Sequence, residues 1–228
     1  MENTERRVTT EEVSTGNALT EEVSTEEVLT NDNKSGKGVL RNADGDVYEG
    51  DVIYGKKSGK GVLRYANRDV YEGDFVDDMK SGKGIMIYAD GSKYEGDFHN
   101  NYMEGKGTYT FSTGSVYVGD FQEGIMSGEG HYECCNGNIY DGMWNDNKRS
   151  GKGINKYVDG SVYDGMWVDD MKSGKGIMYN QNGDVVYDGM WVDDMKSGKG
   201  IMYNENRDVV YDGMWVDDMK SGEDIMYN

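Results

Sequence analysis

One spacing dominates this chain of 228 residues. Tyrosines recur at Tyr48, Tyr71, Tyr94, Tyr117, Tyr140, Tyr163, Tyr187 and Tyr211, with five intervals of 23 residues and then two of 24. Each is followed two residues later by glycine, as at Gly50, Gly73 and Gly165. Eleven residues after each tyrosine comes another glycine, which usually opens a Gly-x-Gly such as Gly59-Lys60-Gly61. A fixed period of this length marks a repeat array, whose copies bury apolar surface only by stacking on their neighbours.

Inside one repeat the period is two. In Tyr163-Asp164-Gly165-Met166-Trp167, the residues Tyr163, Gly165 and Trp167 share one face and Asp164 points the other way. Gly174-Lys175-Gly176-Ile177-Met178 alternates likewise, and a polar loop over Val168–Ser173 is expected between the halves. Asp-Gly or Asn-Gly joins successive repeats at Asp44-Gly45, Asp90-Gly91, Asn136-Gly137, Asp159-Gly160 and Asn182-Gly183, the strongest short hairpin signal. With 18 tyrosines against four leucines and four alanines, helical bundles and Rossmann-type α/β domains are disfavoured. The spacing therefore predicts an all-β fold: an elongated single-layer antiparallel β-hairpin meander, a solenoid of sixteen or seventeen strands. At about 4.8 Å per strand it would extend roughly 80 Å. Proline, which removes a ladder donor, is absent from the chain. The two intervals of 24 predict a one-residue bulge or longer turn near Tyr179–Val186 and Tyr203–Val210.

Residues 1–30 differ in kind. They hold eight glutamates and no aromatic residue, with Thr10–Leu19 echoed by Thr20–Leu29. Such low complexity predicts a disordered acidic tail preceding an array over 31–228. The formal net charge is −19, which opposes nucleic acid and anionic surfaces. No apolar run is long enough to cross a bilayer, and the two cysteines, Cys134 and Cys135, are adjacent. A reducing, cytoplasmic setting is expected, at the cytoskeleton or the inner membrane face.

The copies YEGDF, YVGDF and YDGMW, each followed by KSGKG or EGKG, resemble the MORN (membrane occupation and recognition nexus) repeat. That repeat reads approximately Y-x-G-x-W/F, loop, G-x-G-x-Y, then D-G. The resemblance covers residues 48–228 in eight copies, with a degenerate half-copy at Lys34–Val47. Thr25–Leu29 stands where the first Y-x-G-x-F would be, and Glu223-Asp224 replaces the last Lys-Gly, an inward charge expected to act against edge pairing. The resemblance implies an accessory binding array or membrane-associated module, and no catalytic domain of the kind joined to family members fits in residues 1–30.

Catalysis needs converging titratable groups. His99 and His131 lie in different repeats with no nucleophile pattern beside them, and Cys134-Cys135 lacks a metal-ligand spacing. The acid pairs Asp169-Asp170 and Asp193-Asp194 do not fit an EF-hand and are expected to form a solvated face. Neither an enzyme nor a cofactor or metal site is expected.

Two surfaces are candidates for binding. The first is an aromatic groove for a protein partner, a cytoskeletal element among the candidates, formed by Tyr48, Tyr71, Phe75, Tyr94, Phe98, Tyr117, Phe121, Tyr140, Trp144, Tyr163, Trp167, Tyr187, Trp191, Tyr211 and Trp215. The second, less favoured, is a lysine ladder for phosphoinositide or anionic lipid: Lys37, Lys60, Lys83, Lys106, Lys152, Lys175 and Lys199, interrupted by Glu129. No nucleic acid partner is expected, whereas self-association is compatible with an open sheet edge. Circular dichroism should show β-structure with almost no helix. Small-angle scattering should give a radius of gyration well above that of a compact domain of this length; a compact value would contradict the meander.

Overall fold

A computed structural model describes residues 35–222. The acidic tail of residues 1–30, the incomplete copy at Thr25–Leu29 and the terminal Glu223-Asp224 lie outside the described residues. Those residues form seventeen strands, joined antiparallel, and no helix, so the all-β hairpin architecture read from the alternation is correct.

The described residues divide into two compact units, one ending at Gly105 and the other beginning at Lys106. In the first, β1 (Ser35–Arg41), β2 (Val47–Ile53), β3 (Lys56–Arg64), β4 (Val70–Val76), β5 (Met79–Ile87) and β6 (Lys93–His99) each pair antiparallel with the next. The division falls within β7 (Tyr102–Thr110). The second unit continues with β8 (Val116–Gln122), β9 (Ile125–Glu133), β10 (Ile139–Asn145), β11 (Lys148–Lys156) and β12 (Val162–Val168). It ends with β13 (Met171–Tyr179), β14 (Val185–Val192), β15 (Met195–Tyr203), β16 (Val209–Val216) and β17 (Met219–Ser221). From β8 onward each strand again pairs with its sequence neighbour.

The expected polar loop over Val168–Ser173 is replaced by a two-residue turn, because β12 runs to Val168 and β13 starts at Met171. Its residues Asp169 and Asp170 have φ of 47° and 70°. Positive φ at both central positions defines a turn whose twist matches the flanking strands, and Asp and Asn tolerate that conformation. The same turn recurs at Asp77-Asp78, Asn100-Asn101 and Asp193-Asp194. The Asp-Gly and Asn-Gly pairs sit instead in wider connections, where Gly160 N donates to Tyr157 O at 2.9 Å.

Glycines align across the strands. Gly165 faces Gly153 on one side and Gly176 on the other, leaving a furrow without side chains in which the Tyr163 ring lies. A Cβ on Gly165 or Gly176 would overlap the Tyr163 phenol. A bulge completes the arrangement. Beyond the Gly50–Gly61 pair the register jumps to Val52–Lys57, so Ser58-Gly59-Lys60 faces Asp51 alone. Gly59 takes φ of 62° there, and Asp51 Oδ2 accepts from Lys60 N at 2.9 Å. The bulge skips Asp51 in that ladder, and Tyr48 Oη donates to its carbonyl at 2.7 Å.

The two longer intervals are absorbed as the spacing predicts. Met178 faces Tyr187 but Tyr179 faces Val185, which leaves Val186 extra; Tyr203 and Val209 repeat the shift. Gly165→Ala should cost about 1–3 kcal/mol by forcing Tyr163 out of its furrow, read by chemical denaturation. An unchanged midpoint would show that the ring does not need the bare glycine.

Candidate functional site

The fifteen rings proposed as a groove are interior. Tyr48, Tyr71, Phe75, Tyr94, Phe98, Tyr117, Phe121, Tyr140, Trp144, Tyr163, Trp167, Tyr187, Trp191, Tyr211 and Trp215 are each 6% exposed or less. This corrects the sequence expectation: an open aromatic groove becomes a closed core, because the rings cover one another. Tyr163 packs edge to face on Trp167 at 5.1 Å and on Trp191 of the next repeat at 5.4 Å. Tyr71 does the same with Phe75 and Phe98, at 5.1 and 4.9 Å. Edge-to-face contacts at such distances stabilise beyond area burial alone. Tryptophan adds a tie across repeats, since Trp167 Nε1 donates to Gly153 O and Trp191 Nε1 to Gly176 O, both at 3.2 Å.

Above this core lies a second layer that the sequence reading missed. The tenth residue of most repeats is cationic: Lys57, Lys80, Arg149, Lys172, Lys196 and Lys220. Arg149 stands 4.2 Å over the Trp167 ring, and Lys172 stands 4.2 Å over Trp191. Lys80 lies 5.5 Å from both Tyr65 and Tyr71. Burial pulls the Lys80 and Lys172 ammonium groups below the ordinary lysine range, partly opposed by Asp69 and Asp194 respectively. Their recurrence in register was the available signal, obscured because lysine on a strand normally reads as solvated. On the same side stand the half-buried rings Tyr65 and Tyr88 in the first unit and Phe111 and Tyr157 in the second, with Lys80 beside Tyr65 and Met103 beside Tyr88. Each of these rings precedes the wide turn of its repeat, where Tyr65 N donates to Asp69 O and Tyr157 N to Ser161 O, both at 2.9 Å.

The acid pairs do more than form a solvated face. Asp170 Oδ1 accepts from Arg149 N at 3.0 Å, Asp194 Oδ1 from Lys172 N at 2.9 Å and Asp78 Oδ1 from Lys57 N at 2.8 Å. One carboxylate of each turn thus fastens the turn to the preceding hairpin. Among the described residues no cluster of three or more His, Cys, Asp or Glu could hold a metal ion. His131 Nδ1 lies 2.5 Å from Asp141 Oδ1 and Nε2 lies 3.2 Å from Glu133 Oε1. The Asp141 hydrogen bond raises the imidazole pKa despite some burial.

The lysine ladder occupies the opposite face. Lys37 pairs with Asp51 and Lys60 with Asp74 at 2.8 Å, while Lys83–Asp97 and Lys106–Asp120 close at 2.7 Å. Farther along, the aspartate of Y-x-G-D-F gives way to methionine. Lys152 faces Met166, Lys175 faces Met190 and Lys199 faces Met214. Lys175 retains a distant acid, Asp188, at 4.0 Å. Lys152 and Lys199 have no ion pair among the described residues, and Met166, Met190 and Met214 are 42%, 41% and 53% exposed.

An antiparallel array whose repeats close over their own aromatic core is a repeat architecture. Residues 30–47, 48–70, 71–93, 94–116, 117–139, 140–162, 163–185, 187–209 and 211–223 match the MORN repeat. The chain belongs to the MORN repeat family, and these repeats mark it as a scaffold or binding module. No curated protein matches the chain in sequence. Among solved structures it is similar to the wild-type TCP10 domain of Danio rerio CPAP, at 12% identity and a TM-score of 0.39, covering 84% of this chain and 96% of that one. A mutant of that domain gives 13% and 0.30, covering 79% and 95%. A streptogramin B lyase structure gives 11% and 0.18, covering 83% and 72%. At these scores the likenesses carry no argument about this chain.

The core phenols set an alkaline limit. Burial first, then the Asp51 and Asp218 carboxylates respectively, push the Tyr48 and Tyr187 hydroxyls from 10.0 up to about 12. Tyr71, Tyr94, Tyr117 and Tyr163 are raised as well, chiefly by burial. A raised folded-state pKa contributes stability that is full below the unfolded value and is lost as pH rises through the folded one. Unfolding should therefore set in above about pH 10 and be steep towards pH 12. Tyrosinate absorbance should rise together with loss of β-sheet dichroism; gradual ionisation near pH 10 with the sheet intact would contradict this.

Proposed function

We propose that this protein is a non-enzymatic scaffold that holds a protein partner along the aromatic side of its repeats. The observation that supports this reading is the half-exposed rings above the closed core, Tyr65 and Tyr88 in the first unit and Phe111 and Tyr157 in the second. Aromatic rings presented at a surface give a partner large contact area at low conformational cost. In each unit the contact surface is these outer rings with its own cations, Lys80 in the first and Arg149 and Lys172 in the second, rather than the core rings beneath.

A second reading, an anionic-membrane tether, is favoured by one feature. Lys152 and Lys199 lack an acid partner and lie beside exposed methionines, a basic and apolar mixture suited to an interface. Against it stands the net charge of −19.

The test is paired capture from the native cell with the full chain and two variants, quantified by mass spectrometry. Tyr65→Ser, Tyr88→Ser and Tyr157→Ser combined should lower a specific partner at least tenfold. Glu at Lys60, Lys83, Lys152 and Lys175 should leave that partner in place, and the parent should not sediment with phosphatidylserine vesicles at physiological salt. The converse pattern, with phosphoinositide vesicle binding lost in the lysine variant, would overturn the ranking.

A further inference from the structure

Of the residues preceding the wide turns in the second unit, Phe111 and Tyr157 carry rings, whereas Cys134 between them and Asn180 and Asn204 beyond do not. Phe111, Cys134 and Tyr157 occupy equivalent places, since Phe111 N donates to Ser115 O at 2.9 Å, Cys134 N to Asn138 O at 2.8 Å and Tyr157 N to Ser161 O at 2.9 Å. A thiol stands where both neighbours carry a ring. Beside Cys134 an open cleft of about 500 Å³ appears, with Phe111, Tyr132 and Trp144 among its walls. Those rings already form an edge-to-face chain, with Phe111–Tyr132 at 6.0 Å and Tyr132–Trp144 at 5.7 Å. The volume admits one ring and an adjoining peptide group.

The same cleft contains a polar anomaly. Asn155 lines it at 3% exposure, where the corresponding residues of other repeats are Leu63, Met86, Tyr109, Tyr132, Met178 and Met202. Its Oδ1 accepts from Arg149 Nη1 at 3.5 Å, but its Nδ2 has no hydrogen-bond partner. A buried donor left unpaired is costly, and an apolar residue would avoid the cost. Arg149 is itself engaged by Asp170, with Nε on Oδ1 at 3.1 Å and Nη2 on the carbonyl at 2.7 Å. The local charge is thereby neutralised, so the unmet need of the cleft is a neutral acceptor such as an amide carbonyl.

We propose that this cleft, centred on the repeats spanning residues 117–162, receives an aromatic side chain of a peptide partner, which fills the gap between the Phe111 and Tyr157 places while a carbonyl next to it accepts from Asn155 Nδ2. The inference rests on the scaffold reading above and assigns its anchor point. An incoming ring meets the edges of Trp144 and Phe111 in the geometry the protein's own rings use.

Saturation-transfer NMR on the full chain tests this with N-acetyl-L-phenylalaninamide as probe and N-acetyl-L-alaninamide as control. Phenylalaninamide should receive saturation, strongest at its ring protons, and alaninamide at least fivefold less. Cys134→Tyr fills the gap and should remove the signal at least fivefold with the sheet intact by circular dichroism. Asn155→Met, the residue other repeats carry at this place, should also weaken it and should raise the melting temperature. Equal saturation of both probes, or undiminished phenylalaninamide binding in both variants, overturns the proposal. Should Cys134→Tyr not fold, Asn155→Met and the probe comparison decide alone. Loss of this result with partner capture still dependent on Tyr65, Tyr88 and Tyr157 would reject the anchor and leave the scaffold standing.

Discussion

A phenol ring laid in a trough of bare backbone is the contact on which this structure depends. A sheet with no second layer must cover its own apolar face, and here each repeat does so with one tyrosine. The ring of Tyr163 sits over Gly165 and Gly176, and its hydroxyl donates to the Met166 carbonyl at 3.0 Å. The corresponding bond recurs at Tyr71, Tyr94, Tyr117 and Tyr187, to Asp74, Asp97, Asp120 and Met190 at 2.9 to 3.0 Å. Neither half works alone. Glycine in a strand is ordinarily a weakness, and a buried phenol without an acceptor is costly; placed together, the glycines admit the ring and the bulge supplies the acceptor.

Growth of the array follows from that contact. Inside a unit a tyrosine such as Tyr140 or Tyr163 touches the aromatic residue of its own repeat and that of the next, so the core there is a chain of edge-to-face pairs rather than a central cluster. Stability in such a chain resides in nearest-neighbour terms. The two-residue turns extend the coupling to the hairpin tips, where Asp194 and Asp218 accept from the Lys172 and Lys196 amides of the preceding hairpins at 2.9 Å. The row of cations over the rings adds a roof on one side, as Lys196 does 5.1 Å above Trp215.

Period, strand alternation, strand number and the bulges near Val186 and Val210 were legible from spacing alone, because each is a matter of counting along the chain. What was not legible depends on depth. Tyr163 and Trp167 alternate onto one face, but alternation does not say whether that face is covered, and mutual packing of the rings closes it. The turn at Asp169-Asp170 was hidden because Gly at the wide turn is the louder signal, while two aspartates in succession read as solvated acid. Lys172 was hidden for the same reason: a lysine roofing a tryptophan is indistinguishable in sequence from one facing water.

The distribution of irregularity along the chain bears on recognition. Residues 163–180 and 187–204 are identical in sequence, and identical copies present identical surfaces, which suit distributed contact better than a unique one. The repeats spanning 117–162 break the pattern at several places on one side at once: Cys134 between two repeats that carry rings there, Asn155 where leucine, methionine or tyrosine stands elsewhere, and Arg149 where lysine is usual. Outward positions change there too, with His131 held between Asp141 and Glu133 where isoleucine, valine or threonine stands elsewhere. An array built for local consistency gains nothing in stability from an unpaired buried amide such as Asn155 Nδ2. Departures that weaken the fold while clustering around one cleft are the expected mark of a site on an otherwise uniform scaffold. Affinity can then come from length along the repeats and register from this irregular pair.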